Sequence, residues 1–429
     1  MLIIVTYIRE LVNILVCNMD IKTRNINDIA AWCGIIWFVF IIDASFTWFL
    51  SYPKRVFIGS LFILYVTIIL YRKKELVVSR HRLILLITIF FLLSFRVFIK
   101  DEFLVTPFVF LPLMCIVQWN RNIMYKWYQL FRKFIIFYAI LSIIIEFLVL
   151  SGVWKFLPYV IIPPQDTVQE SLNLENYFYG LFSISVPDYG LTFYRASGPL
   201  REGGHFAVYL GFLYFVETIV YLKRNIWLIV CGFLTLSPNF VSFFIITEGY
   251  YAFLNKRIIK ALAGLVIFFG AVIMAFVLSP QAIKDEIVRV VLERTLENSL
   301  NNVQYDGFMA ILDGRTNTIG IQMYKAFVKY GTPNDHLIGY DPSKLTEGYV
   351  LSDIRYLIIR YGYVGLFLIV LCTLLFSKGS QTRCYGFLLF IMAICVMLQR
   401  AWMFDFAYIW VMMFLATNVK LMATNSKIY

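Results

Sequence analysis

The chain predicts an all-α, polytopic membrane protein of about twelve spans with two large outer loops carrying short amphipathic helices. Three observations lead there. Of 429 residues, 61% are hydrophobic and only 15% are charged, against about a quarter charged in soluble domains. The apolar residues fall in unbroken blocks of bilayer-crossing length rather than in amphipathic stripes, as in IAAWCGIIWFVFIIDASFTWFL (29–50), FIIFYAILSIIIEFLVL (134–150) and ALAGLVIFFGAVIMAFVLS (261–279). Short basic runs punctuate these blocks. A chain in lipid must satisfy its backbone internally, which selects helices.

Taken in order, the blocks lie near 29–50, 56–71, 83–99, 103–118, 134–150, 204–222, 226–254, 261–279, 356–376, 384–399 and 402–419. The block 226–254 would carry Lys223-Arg224 and Lys256-Arg257 to opposite sides as one helix. Positive charge prefers the cytoplasmic side, and LSPN (236–239) offers a turn, so this block splits in two. The basic runs at 72–82, 121–133, 223–224, 256–260, 378–383 and 420–427 then share the cytoplasmic side with both termini. The loops 151–203 and 280–355 face outward. The whole chain, 1–429, forms one membrane domain, and its first residues, MLIIVTYIRELVNILVCN, read as an interfacial helix.

The net charge of +12 does not imply nucleic acid, because it sits in short runs that orient helices. The seven cysteines lie in or at the ends of apolar blocks and show neither a disulfide framework nor a metal spacing. In the second loop, AIKDEIVRVVLERTLENSL (282–300) and then Arg315–Tyr330 have the spacing of amphipathic helices, followed by the turn-rich TPNDHLIGYDPSK (332–344).

Scarce charges mark the candidate site. Asp43, Arg96, Glu146, Arg400 and Asp405 sit in or beside apolar blocks, where an ionisable group is costly and is a functional candidate. At 194–206, YRASGPLREGGHF gathers Arg195, Gly198, Arg201, Glu202, Gly203, Gly204 and His205 at the lip of an apolar run. The second loop contributes Asp313-Gly314-Arg315, Leu337-Ile338-Gly339-Tyr340, Ser352-Asp353-Ile354-Arg355 and Arg360-Tyr361-Gly362-Tyr363-Val364-Gly365-Leu366.

Over roughly 190–370 this order resembles the O-antigen polymerase and ligase superfamily, the Wzy- and WaaL-like bacterial envelope enzymes. That family shows an Arg-x-x-Gly-x-x-x-Glu-like stretch entering a mid-chain helix, a Gly-Arg opening a helix in the large outer loop, a Leu-x-Gly turn, and an aliphatic-Gly-aliphatic-Gly-Leu helix start. The chain departs from it at Gly203, where proline is usual, at the extra Arg201, and at Ser237-Pro-Asn239-Phe, which lacks an arginine. Ligases carry histidine where Asp353 stands, so the chain looks more like the polymerases. His336 lies too far upstream to fill that slot, although it stays a candidate substitute.

The resemblance implies a metal-independent, cofactor-free glycosyltransferase of the bacterial inner membrane. It would polymerise polyprenyl-diphosphate-linked oligosaccharide repeat units into O-antigen or capsular polysaccharide, with one lipid-linked oligosaccharide as donor and another as acceptor. It also leaves room for a chain-length regulator protein as partner. Arg195 and Arg315 would clamp the diphosphate, since a guanidinium is permanently charged and binds two phosphate oxygens. Arg201, Arg355, Gly198 and His205 would line the substrate. Asp353, or alternatively Glu202, would take the acceptor's proton. The ligase reaction on lipid A core is the second reading. A transporter or flippase is the third, disfavoured because no repeated halves are visible and the charges gather at one face.

Overall fold

A computed structural model of the chain describes residues 26–162, 175–186, 196–200, 203–256, 270–285, 318–341, 351–379 and 382–426, apart from scattered positions within those ranges. The expected N-terminal interfacial helix, Asp43, the surface helix after 286 and most of the span at 261–279 lie outside the described residues.

The architecture is helical. Helices α1 (Ile26–Ile41), α2 (Tyr52–Arg72), α3 (Arg80–Ser94), α4 (Thr106–Ile116) and α5 (Arg121–Leu150) are followed by α6 (Gly203–Ile219), α7 (Ile226–Leu234) and α8 (Pro238–Leu254). After them come α9 (Thr318–Tyr330), α10 (Pro333–Ile338), α11 (Ile354–Lys378), α12 (Arg383–Arg400) and α13 (Tyr408–Ser426). Local sequence sets their ends. Ser79 caps α3 by accepting from the Arg82 amide, and Asn120 caps α5 by accepting from that of Ile123.

Among the described residues, five helices are long and apolar enough to cross a membrane: 52–72, 80–99, 121–150, 354–378 and 383–404, with mean hydropathy between 1.7 and 2.4. Their outward faces carry Phe98, Phe147, Phe367 and Phe387, at 74%, 69%, 64% and 60% exposure. So much exposed aromatic surface suits lipid and not water. Three further apolar helices, 26–41, 106–116 and 408–419, are shorter. The described helices thus bear out the helical class, with five of them long and apolar enough to span a bilayer.

At the centre stands α6, buried at every position from Gly203 to Ile219. A helix that is hydrophobic all round belongs inside a bundle, and here α5, α7, α8 and α13 surround it. Its single carboxylate, Glu217, is paired by Arg132 (2.8 Å) and by the Tyr128 hydroxyl (3.0 Å).

The block 226–254 does break, at Thr235–Ser237, with Leu236 in the left-handed region (φ 47°). The result is a hairpin. Arg224, just before α7, pairs with Glu248 (2.5 Å) and lies over Tyr251, both more than two turns into α8. The two arms therefore run antiparallel and return to the same end. With nine residues, α7 rises only about 14 Å, about half the thickness of a bilayer's hydrocarbon core.

Two expectations need correction. The first large loop carries a three-stranded antiparallel sheet, β1 (Val160–Ile162), β2 (Glu175–Phe178) and β3 (Ser183–Val186), in that order. These strands are rich in β-branched and aromatic residues, and Phe178 and Ile184 are buried. Tyr177 and Tyr179 pack here against Trp154, Tyr159 and Phe182. In the second loop, the stretch read as turns holds α10. Thr332 and Asp335 close a capping box around Pro333 at the first position, a combination that starts a helix.

Candidate functional site

The motif residues gather at one end of the bundle, at the amino ends of α6 and α11. The chain enters α6 through Ala196–Leu200, all buried. Gly198 adopts φ 59°, and a Cβ there would lie 2.6 Å from the Phe206 ring, so the left-handed turn requires glycine. The Ala196 amide donates to the Leu234 carbonyl (3.2 Å), which ties this stretch to the tip of the α7–α8 hairpin.

Gly204 has another reason. A Cβ on it would lie 2.1 Å from a guanidinium nitrogen of Arg400. The absence of a side chain lets this buried arginine (8% exposed) lie directly on the first turn of α6. The amide ends of a helix carry partial positive charge, so two sources of positive potential coincide there. Around them, the His205 imidazole Nε2 and the Tyr209 hydroxyl share a hydrogen bond (2.7 Å), and the His205 ring packs against Trp402 and Tyr408. The Tyr408 hydroxyl, the Ser237 hydroxyl and both polar atoms of the Asn239 side chain are buried without a protein partner among the described residues. Buried polar groups are ordinarily satisfied, so this region is polar beyond what packing needs.

On α11, Asp353 is the N-cap, accepting from the Arg355 amide (2.8 Å). Its two carboxylate oxygens also accept from the Arg355 guanidinium, Oδ1 from Nε (2.9 Å) and Oδ2 from a terminal nitrogen (2.7 Å). Both side chains are buried, and Arg355 lies over the ring of Tyr324. Arg355 thus fills three of the carboxylate's roughly four acceptor sites.

The two glycine motifs of the second loop meet backbone to backbone. Helix α11 is broken at Gly362 (φ 62°), and the turn at Gly339 (φ 80°) packs into the break. A Cβ on Gly362 would lie 2.4 Å from the Gly339 amide nitrogen, and one on Gly339 would lie 2.5 Å from the Arg360 carbonyl carbon. The Tyr340 amide donates to the Ile359 carbonyl (2.7 Å), which locks the turn in place. Phe327 of α9 fits between His336 and Tyr340, and His336 stacks on Tyr363. Between α9 and α10 runs a groove of about 540 Å³, with Tyr330 and Tyr340 on its walls and Asp335 at its edge.

Beneath this lies a charge network that only partly shows in the sequence. Arg96 and Asp405, two of the intramembrane charges, come together when the Arg96 guanidinium donates to the Asp405 carbonyl (2.9 Å). A π-helical turn at Phe95–Ile99 ends α3 and carries Arg96 inward. Glu102 links Arg96 (2.5 Å) to Arg360 (2.8 Å) and accepts from Tyr361 and Thr106 (both 3.0 Å). Asp405 accepts from Tyr361 (2.9 Å), Tyr356 and Arg360 (3.0 Å). Burial alone would raise the Glu102 carboxyl, but Arg96 and Arg360 outweigh it and hold the group down at about 2. Lys100 donates to the Tyr340 carbonyl (2.7 Å), and burial pushes its ammonium below the usual lysine range. Glu102 stands between two apolar blocks and Arg360 inside a glycine motif. That placement was the signal for them, although neither had been taken as a site residue.

Of the sequence-predicted site residues, Gly198, His205, Asp353 and Arg355 are thus placed at this end. Arg195, Arg201, Glu202 and Arg315 lie outside the described residues. Gly198 and His205 adjoin α6, while Asp353 and Arg355 cap α11. Glu146 is buried near the end of α5. Among the described residues, no three His, Cys, Asp or Glu side chains form a group that could hold a metal ion. No family model matches the chain, and no curated protein and no solved structure shows significant similarity to it.

Proposed function

We propose that the protein polymerises polyprenyl-diphosphate-linked oligosaccharide repeat units at the outer face of the bacterial plasma membrane, by transferring a glycan block from one lipid carrier to another. The observation that carries this reading is the buried Arg400 guanidinium on the amino end of α6, the helix that follows Arg195 and Arg201 in sequence. Positive charge fixed at a helix start suits a departing diphosphate.

In the reaction, an acceptor hydroxyl oxygen bonds to the donor's anomeric carbon while the bond from that carbon to the diphosphate oxygen breaks. The electron pair leaves with the diphosphate, whose charge Arg195, Arg315 and Arg400 offset. The hydroxyl proton passes to Asp353 or Glu202. The tyrosine-walled groove between α9 and α10 offers flat aromatic faces to sugar rings. The site end faces outward in this reading because Arg82, Arg121 and Lys378 collect at the opposite end. Both termini are then cytoplasmic.

Complementation of a polymerase-deficient strain tests the reading, with glycan length read on a gel. The wild type should restore a ladder, and Arg195→Ala and Arg315→Ala should each leave single-repeat product with normal membrane insertion. Normal ladders in both variants would remove the diphosphate clamp. Loss of all glycan from lipid A core would instead identify a ligase.

A further inference from the structure

The opposite end of the bundle holds a second, separate charge cluster. Helices α3 and α5 begin there, α11 ends there at Lys378, and α13 passes at Thr417 and Asn418. Between them lies a cavity of about 240 Å³, far above the roughly 10–15 Å³ that one water needs. Four basic side chains line it, His81, Arg82, Arg121 and Lys378, and no Asp or Glu does. From Arg360 to Lys378 along α11 is about 27 Å at 1.5 Å per residue, so the cavity lies nearly a bilayer's hydrocarbon thickness from the site.

The local carboxylates are engaged elsewhere: Asp28 pairs with Lys126 (2.7 Å), and Glu75 accepts from Asn120 (2.7 Å). Arg82 is 8% exposed, donates to the Trp119 carbonyl (2.7 Å) and lies over the Phe414 ring, and it is repelled by Arg121. Among the described residues, no carboxylate forms an ion pair with Arg82, Arg121 or Lys378. Arg82 is a buried cation beside the exposed Arg121 and Lys378, and an anion in the shared space would offset their charge. Ser79 adds an exposed hydroxyl and Asn418 a buried side chain whose NH₂ donates to the Phe414 carbonyl (2.7 Å), and Phe376 and Phe414 give one apolar wall.

We propose that this cavity binds the phosphate of an anionic phospholipid headgroup. Inorganic phosphate shares that chemistry. The position at the ends of helices long and apolar enough to span a bilayer and the apolar wall favour the lipid, whose glycerol can reach the exposed Ser79 while its chains continue along the bundle. The inference does not depend on the reaction proposed above.

Native mass spectrometry in a neutral detergent tests it. Purified full-length protein is titrated with phosphatidylglycerol, with phosphatidylcholine of the same acyl chains, and with millimolar inorganic phosphate. The wild type should retain phosphatidylglycerol over phosphatidylcholine. Arg121→Gln and Lys378→Gln, both exposed positions, should each weaken that retention about fivefold, and together about 25-fold. Arg121→Lys, which keeps the charge, should retain the lipid. Equal retention of the two lipids, or unchanged binding by the double variant, would overturn the proposal. Displacement of the lipid by inorganic phosphate alone would overturn the lipid assignment in favour of the free anion.

Discussion

Replacing Glu102 by glutamine removes one negative charge from between two guanidinium groups and leaves the side chain's shape intact. The carboxylate accepts from Arg96, Arg360, Tyr361 and Thr106 and is 14% exposed. In the variant an amide NH₂ would face donors. The carboxyl is held at about 2 against an ordinary 4.5, and at 1.36 kcal/mol per unit this corresponds to about 3 kcal/mol of stability. Removing one partner of a buried ion pair costs about 3–5 kcal/mol by mutation, so the two figures agree. With about 2.1 cal/mol/K of unfolding entropy per residue, 3 kcal/mol lowers Tm by about 3 °C in a chain of this length.

The assay is thermal unfolding of detergent-solubilised wild type and Glu102→Gln over a range of pH. Because the folded carboxyl lies below its unfolded value, its contribution is full above pH 4.5 and is lost as pH falls towards about 2. The gap between the two proteins should therefore close in acid. Equal Tm values near neutrality, or a gap that widens in acid, would refute the reasoning. So would strict additivity of Glu102→Gln and Arg360→Gln, since directly paired groups must couple.

Other perturbations test the site itself. Gly362→Ala forces a side chain into a left-handed position 2.4 Å from the Gly339 amide; it should cost more than the roughly 1–2 kcal/mol of that conformation alone and expose the 280–355 loop to limited proteolysis, and wild-type resistance would contradict the docking. Gly204→Ala should displace the Arg400 guanidinium and abolish polymer ladders without loss of membrane insertion; normal ladders would show that Arg400 is dispensable to the reaction. Asp353→Asn keeps a helix cap but cannot accept a proton. If Asp353 is the base, turnover should fall by about 10²–10⁴, whereas near-normal turnover would leave Asp353 as the residue that positions Arg355 and shift the base to Glu202.

The helical class was legible because bilayer length and charge sidedness are properties of contiguous sequence. The break near Leu236 was legible for the same reason: one unbroken helix would have stranded Lys256-Arg257 on the wrong side. That α7 has only nine residues was not legible, because a half-length arm and a short span have the same composition. The sheet in the first loop was missed since its strands are three or four residues long, too short for a period-two signal to emerge. At the site, Gly198, Gly339 and Gly362 belonged to recognisable short motifs. The Glu102–Arg360 pair joins residues 258 positions apart, and no local pattern encodes such a meeting. Asp353 was visible as an acidic residue in the right slot, but the Arg355 fork that occupies it depends on both side chains folding back over one helix cap.

The nine-residue arm also sets a height. Its tip, at Thr235–Ser237, stands about 14 Å above the level where α7 begins, a rise about half of a hydrocarbon layer about 30 Å thick. The chain leading into α6 is hydrogen-bonded to that tip through Ala196 and Leu234. The hairpin therefore acts as a pedestal of fixed length under the start of α6. Lengthening α7 by one helical turn would lift the pedestal by about 5 Å. The elevation at which α6 begins is thus written into a residue count, and a graded series of insertions would tune it like a ruler.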